Sequence, residues 1–230
     1  MNTIETNRKA IDAACQNIFG TLKKWYGSSS AFADAAKAVD AMPYIQEEKN
    51  KRIGVEVEKL NGAVSQYGEA VRAQIEKISE AADAISGSAE ITDDVYRVLS
   101  IVDQLEGSIP ASVRSEMVRP YKGQKTILEL LYAAFEKASG NADLIFRGLI
   151  FDVEARISNL NAESYSVIRD PERGFSNVAR FAGSVEKFAD DMGVELSRRF
   201  TDYVDLSGAN NEVLHGVRKT AEKPWNRVNH

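Results

Sequence analysis

Residues 43–86 read PYIQEEKNKRIGVEVEKLNGAVSQYGEAVRAQIEKISEAADAIS. From Ile53 onward its larger apolar residues give the series Ile53, Val57, Leu60, Val64, Tyr67, Val71, Ile75, Ile78, Ala82 and Ile85. Their spacing alternates between four and three, which is the apolar seam of a long amphipathic helix. The step from Val71 to Ile75 is four where three is due, so Val64 to Ile75 forms an eleven-residue unit that relaxes a left-handed supercoil. Gly54, Gly62 and Gly68 lie inside this helix, and each lowers helical stability by about 1 kcal/mol relative to alanine. Packing against other helices must therefore hold the rod, and Ser86-Gly87-Ser88 ends it.

Outward from the rod, Ile4, Ile11, Ile18, Leu22 and Trp25 share one side of a first helix, which is expected to stop at Gly27. Ser28-Ser29-Ser30 would cap a short helix bearing Phe32, Ala36 and Val39, so residues 1–42 read as a helical hairpin. Pro43 suits the first turn of the long helix. Thr92 or Asp93 caps a helix on Val95, Val98, Leu99, Val102 and Leu105, with Gly107 closing it. Two or three turns carry Val113 and Met117, and Lys122-Gly123 is a turn signal. A helix from Thr126 carries Ile127, Leu130, Leu131 and Phe135 and ends at Ser139-Gly140. Asn141 then caps a helix whose first three turns are apolar nearly all round, through Val153. Residues 159–174 look polar and irregular, with a turn at Asp170-Pro171. A long helix on Val178, Phe181, Val185, Phe188, Met192, Leu196, Phe200 and Tyr203 follows, ended by Ser207-Gly208. A short helix near 211–221 and an extended tail complete the chain.

The five prolines fall between these periodic segments or at their edges, and no period-two alternation suggests a strand. The expected fold is all-α: an elongated antiparallel helical bundle built on the helix at about 43–86, with shorter helices and an extended C-terminal tail. The expected organisation is a hairpin at 1–42, a main bundle at 43–208 and a short helix and tail at 209–230, together one continuous domain.

With 230 residues, 43% apolar and 27% charged, the chain has the composition of a soluble folded protein. Its net charge of -5 argues against generic affinity for nucleic acid or anionic membranes. The single cysteine, Cys15, allows no internal disulfide, which is compatible with a cytoplasm. MNTIETNRKAIDAAC at the start has no uninterrupted apolar core of a secretory signal. The apolar run Leu144 to Phe151 is too short to span a bilayer and contains Arg147, expected to pair with a carboxylate of a neighbouring helix.

Motifs for nucleotide binding, nucleophilic hydrolysis and zinc binding are missing from the sequence. Of the two histidines, His230 is terminal and His215 reads as a partly exposed helix residue rather than a general base. Glu47-Glu48, Asp93-Asp94 and Asp190-Asp191 are adjacent on helices, so the two members of each pair point about 100° apart and read as solvated faces. Basic residues gather at Arg114, Arg119, Lys122 and Lys125 and again at Arg218, Lys219, Lys223 and Arg227, where Trp225 stands among them. Solvated turn and tail is the favoured reading for both, with docking onto an acidic protein surface ahead of nucleic-acid binding.

Trp25-Tyr26-Gly27 between two predicted helices resembles the W-x-G turn of the small helical-hairpin family secreted by the type VII system. Tyr44-x-x-x-Glu48 and Tyr132-x-x-x-Glu136 resemble that family's Y-x-x-x-D/E signal. The resemblance implies a secreted helical substrate or adaptor, although family members are much shorter chains with a longer first helix.

Taken together, the sequence leads to the expectation of a non-enzymatic structural or assembly protein that acts through protein–protein contacts, with a bacteriophage particle component as its specific form. Its partners would be copies of itself or a larger assembly, in the cytoplasm or in a virion assembled there. No membrane, nucleic acid, cofactor, metal or small-molecule substrate is expected, and no catalytic residue is assigned. Candidate interface residues are Leu60, Val64, Tyr67, Leu144, Phe146, Ile150, Trp225 and Arg227. A bundle enzyme using carboxylates is the remaining alternative.

Overall fold

The computed structural model describes residues 3–105, 108–140, 142–169 and 174–204. Within these the chain is helical and contains no strand, so the protein is an all-α helical bundle. Helix α1 covers Thr3–Ala41, α2 Gln46–Ser86, α3 Asp93–Leu105, α4 Ala111–Val118, α5 Lys125–Ser139, α6 Ala142–Phe146, α7 Val153–Arg169 and α8 Gly174–Asp191. Single 3₁₀ turns lie at Arg119–Tyr121 and Phe200–Asp202.

The seam in α2 packs as its spacing requires. Ile53, Val57, Leu60, Val71, Ile75, Ile78, Ala82 and Ile85 are buried, and Val64 and Tyr67 are half-buried. Pro43 is not in the first turn of the helix; it lies in the four-residue connection 42–45, three residues before α2 begins.

Four expected boundaries are corrected. The hairpin expected over 1–42 is one uninterrupted helix, because Trp25, Ser29, Phe32 and Ala36 continue one buried stripe through Gly27. The helix expected to run from Asn141 past Val153 is broken: Gly148 adopts φ +81°, Leu149 N–H closes a turn onto Phe146 O at 2.9 Å, and α6 is only five residues long. The segment 159–169, expected to be irregular, belongs to α7, which restarts where Asp152 Oδ1 accepts from Ala155 N–H at 3.2 Å. Helix α8 stops at Asp191 rather than continuing to Tyr203. Its end is a Schellman motif, with Gly193 at φ +70°, Gly193 N–H on Asp190 O at 3.0 Å and Val194 N–H on Ala189 O at 2.8 Å. The turns or caps expected at Gly107, Asn141, Asp170-Pro171 and Ser207-Gly208, and the C-terminal helix and tail, lie outside the described residues.

Chain contacts group the residues into two compact units. The first comprises Met1–Ala14, Glu76–Ile157 and Lys187–Leu196. Its core joins Val95 and Val102 of α3, Val118 of α4, Ile127, Leu128, Leu131 and Phe135 of α5, and Ile145 and Phe146 of α6. Phe146 meets Phe135 at 5.8 Å and Tyr132 edge-on at 5.6 Å between ring centroids. The polar edge of this ring cluster is closed by Tyr132 Oη, which donates to Asp143 Oδ1 at 2.8 Å.

The second unit comprises Cys15–Ile75, Ser158–Glu186 and Ser197–His230. Here α1 and α2 run antiparallel. Lys49 Nζ reaches Asp40 O at 2.6 Å, Tyr67 Oη meets Ser28 Oγ at 3.2 Å, and Asn17 Nδ2 donates to Gln74 Oε1 at 3.3 Å, so one index falls as the other rises. Phe19 packs on Phe200 at 5.8 Å and on Tyr203 at 6.0 Å. Cys15 is buried and forms no disulfide.

Candidate functional site

The sequence-derived interface residues separate into core and unassigned. Leu60 is 4% exposed and packs with Phe32, Ile53 and Val57 of its own chain, with Val64 half-buried against the same cluster. Tyr67 is half-buried and hydrogen-bonded to Ser28. Phe146 is buried and Ile150 packs against the same core. These residues hold the chain's own helices together. Leu144 belongs to α6, but its side chain lies outside the description, and Trp225, Arg227 and His215 lie outside the described residues altogether.

Of the acidic pair, Asp190 is exposed as expected, with 73% of its side chain accessible, whereas Asp191 is half-buried. In the first unit, Lys122 Nζ contacts Asp190 Oδ2 at 3.0 Å and donates to Asp190 O at 3.3 Å. Arg156 pairs with Asp191 Oδ2 at 3.7 Å and sits 5.5 Å from the Phe151 ring centroid, which itself meets Phe188 edge-on. Burial is the largest influence on the Asp191 carboxyl and raises its pKa, while Arg156, Lys187 and Lys122 pull the other way. Arg8 reaches the same neighbourhood, its Nη2 donating to Lys122 O and Pro120 O. The geometry is that of a fold-closing ionic cluster. Lys122, Arg156 and Arg8 each reach another part of the chain, while Arg8 Nε is buried without a hydrogen-bond partner.

Three residues of the basic stretch near α4 are paired. Arg119 pairs with Glu116 at 3.6 Å, Lys125 with Glu129 at 4.0 Å, and Lys122 with Asp190. Arg147 is exposed beside the Gly148 turn. In the second unit Glu186 accepts from Phe200 N–H at 2.7 Å and from Arg199 at 3.2 Å, capping the 3₁₀ turn. Among the described residues no group of three or more histidine, cysteine, aspartate or glutamate side chains is arranged to hold a metal ion. None of the described helices is long and apolar enough to cross a membrane.

The W-x-G resemblance is corrected in its geometry: Trp25 is 1% exposed inside continuous α1, and no turn occurs at Gly27. Glu48, of the first Y-x-x-x-E match, pairs with Arg52, whose guanidinium lies 4.5 Å over the Tyr44 ring. Glu136, of the second, accepts the Ala142 N–H at 3.0 Å and so caps α6.

What sequence reasoning missed is the connection between α1 and α2. Met42, Tyr44 and Ile45 are 41, 37 and 73% exposed within four residues. Helix connections normally carry polar residues, so three large apolar side chains around Pro43 were the available signal. Comparison with family models, curated proteins and solved structures finds no match for this chain.

Proposed function

We propose that this chain is a non-enzymatic helical assembly protein that works through protein–protein contacts, with copies of itself or within a larger complex. The observation that carries the reading is the exposed apolar tip Met42-Pro43-Tyr44-Ile45 at the end of the α1–α2 pair in the second unit. Contiguous exposed apolar residues mark contact sites more often than scattered ones do. Support also comes from the partners of the carboxylates: Glu186 accepts from Phe200 N–H in the second unit, and Asp190 and Asp191 pair with Lys122 and Arg156 in the first. The finer form of the proposal, a structural component of a bacteriophage particle, is supported by the acidic, alanine-rich helical character of the chain. Neighbouring capsid, portal or tail genes would test that form.

Light scattering tests the general reading. The expected result is a mass above the 25.4 kDa of one chain, falling to one chain in a Tyr44→Ser/Ile45→Asp variant of unchanged helicity. A wild-type chain that remains single at every concentration, alone and with cognate particle proteins, or a variant that assembles as the wild type does, would overturn it.

A further inference from the structure

Within the second unit, the antiparallel pair of α1 and α2 contains one cross-section where several weaknesses coincide. On α1 it is Gly27-Ser28-Ser29-Ser30, and on α2 it is Gly62 through Gly68. The contact between Ser28 Oγ and Tyr67 Oη at 3.2 Å places the two segments at the same level. Glycine and serine are poor helix formers, and adjacent Gly/Ser residues are recurrent sites of helix bending. The space around Gly27 and Gly62 explains neither glycine: a Cβ built at either meets nothing within 4 Å. Close packing therefore does not require glycine at these two positions.

On α2 the seam loosens at the same level, while on α1 Trp25, Ser29 and Phe32 stay buried. Val64 and Tyr67 are half-buried, whereas Ile53, Val57 and Leu60 on one side and Val71 and Ile75 on the other are buried. The eleven-residue unit that interrupts the four-three alternation begins at Val64. Beyond the cross-section, Phe32, Ile53, Val57 and Leu60 form a small cluster, against which half-buried Val39 and Val64 pack among the described residues. The distal arm thus has a core of its own, and a polar contact marks the level where it begins.

We infer that this cross-section is a hinge. The arm made of residues 31–61 bends as a packed unit about Gly27–Ser30 and Gly62–Gly68, and it carries the Met42–Ile45 tip with it. The hinge does not depend on what the tip touches, and its readout is independent of assembly.

Amide hydrogen exchange on the full chain, expressed as protection factors at a concentration where it is a single species, tests the inference. Local opening lowers protection where few buried apolar contacts support the backbone. The expected profile has a minimum at 26–31 and 62–68, about tenfold below both 14–22 and 53–60. Gly27→Ala/Gly62→Ala should raise protection at the minimum by about fivefold for each alanine. Gly54→Ala, a helix-interior control outside the cross-section with equal room for a Cβ, should leave the minimum in place. Protection that is uniform, or that declines smoothly toward the Met42 tip, would overturn the hinge. So would a double variant that folds and keeps an unchanged minimum. If the double variant fails to fold, the wild-type profile decides alone.

Discussion

Arg8 Nη2 donates to the backbone carbonyl oxygens of Lys122 at 3.1 Å and Pro120 at 3.2 Å, so a side chain near the start of α1 closes the loop between α4 and α5. Arg8 stands on the stripe that elsewhere carries Ile4, Ile11, Cys15 and Ile18, which is why it is partly buried. Burial lowers its pKa from the usual arginine value, but a guanidinium stays charged in any working pH range. Hydrogen bonds from a charged donor contribute about 1.5–3 kcal/mol each. Arg8→Met keeps the apolar stem and removes the donors, so it should lower unfolding free energy by about 2–3 kcal/mol in urea titration. Arg8→Lys should recover little of this, because a point ammonium does not reproduce the planar fork. A loss below about 0.5 kcal/mol, the size of an ordinary surface substitution, would show that the loop is held by other contacts.

Leu60 and Val64 are consecutive positions of one seam with different depths, the first 4% exposed and the second half-buried. Leu60→Asp removes a side chain from the Phe32, Ile53, Val57 cluster and places a carboxylate there. Its expected cost is about 4 kcal/mol or more, a large part of the 5–15 kcal/mol typical of a folded domain. Val64→Asp should cost roughly half as much, since its carboxylate can stay in contact with water. Circular dichroism through a urea series measures both. Equal and small effects would place the seam on the wrong face of α2.

The α2 seam was readable because a four-three period over ten positions has no competing explanation, and nearly every position is buried. The boundaries were harder to read, for particular reasons. In α1 the heptad positions Ile4, Ile11, Ile18, Trp25, Phe32 and Val39 keep phase across Gly27, so the stripe outweighed the breaker. In α8 the spacing Phe188, Met192, Leu196, Phe200 continues a helical period past the true end. Phe200 returns to the core from a 3₁₀ turn and packs on Phe19. The buried face of α7 includes Ser164, whose hydroxyl donates to Asn161 O at 2.8 Å, and this diluted the apolar signal over 159–169. The pairing of Lys122 with Asp190 spans 68 positions, and no local spacing encodes it.

Two glycines should respond to alanine with opposite signs. Gly54 lies inside α2 and a Cβ there meets nothing within 4 Å, so Gly54→Ala should stabilise by about 1 kcal/mol and raise Tm by about 2–4 °C. Gly193 has φ +70°, and a Cβ there would stand 2.7 Å from the Arg8 guanidinium and 3.1 Å from Lys122 Cβ. Gly193→Ala combines left-handed strain with displacement of the Arg8 side chain, so a loss of about 1–3 kcal/mol is expected. Calorimetry on both variants measures the contrast, and a destabilised Gly54→Ala would mean that α2 is not a regular helix at that point.

Asp191 gives the fold a pH dependence of defined sign. Its carboxyl is 18% exposed at the end of α8, facing Arg156 of α7, with Lys187, Asp190 and Lys122 nearby. Burial outweighs the cations, so the folded chain holds this proton more tightly than a free carboxyl with its value of 3.8. The folded-state pKa is raised, so the corresponding stability is fully present below the unfolded value and is lost as pH rises through the folded one. Asp191→Asn keeps the shape and does not titrate. The stability of the variant minus that of the wild type should therefore increase from acid toward neutral pH, then level off once the wild-type carboxyl is ionised. Urea unfolding of both proteins across that range gives the slope directly. A difference that falls with pH would mean that the Arg156 pair outweighs burial and that Asp191 is a net stabilising charge at neutrality.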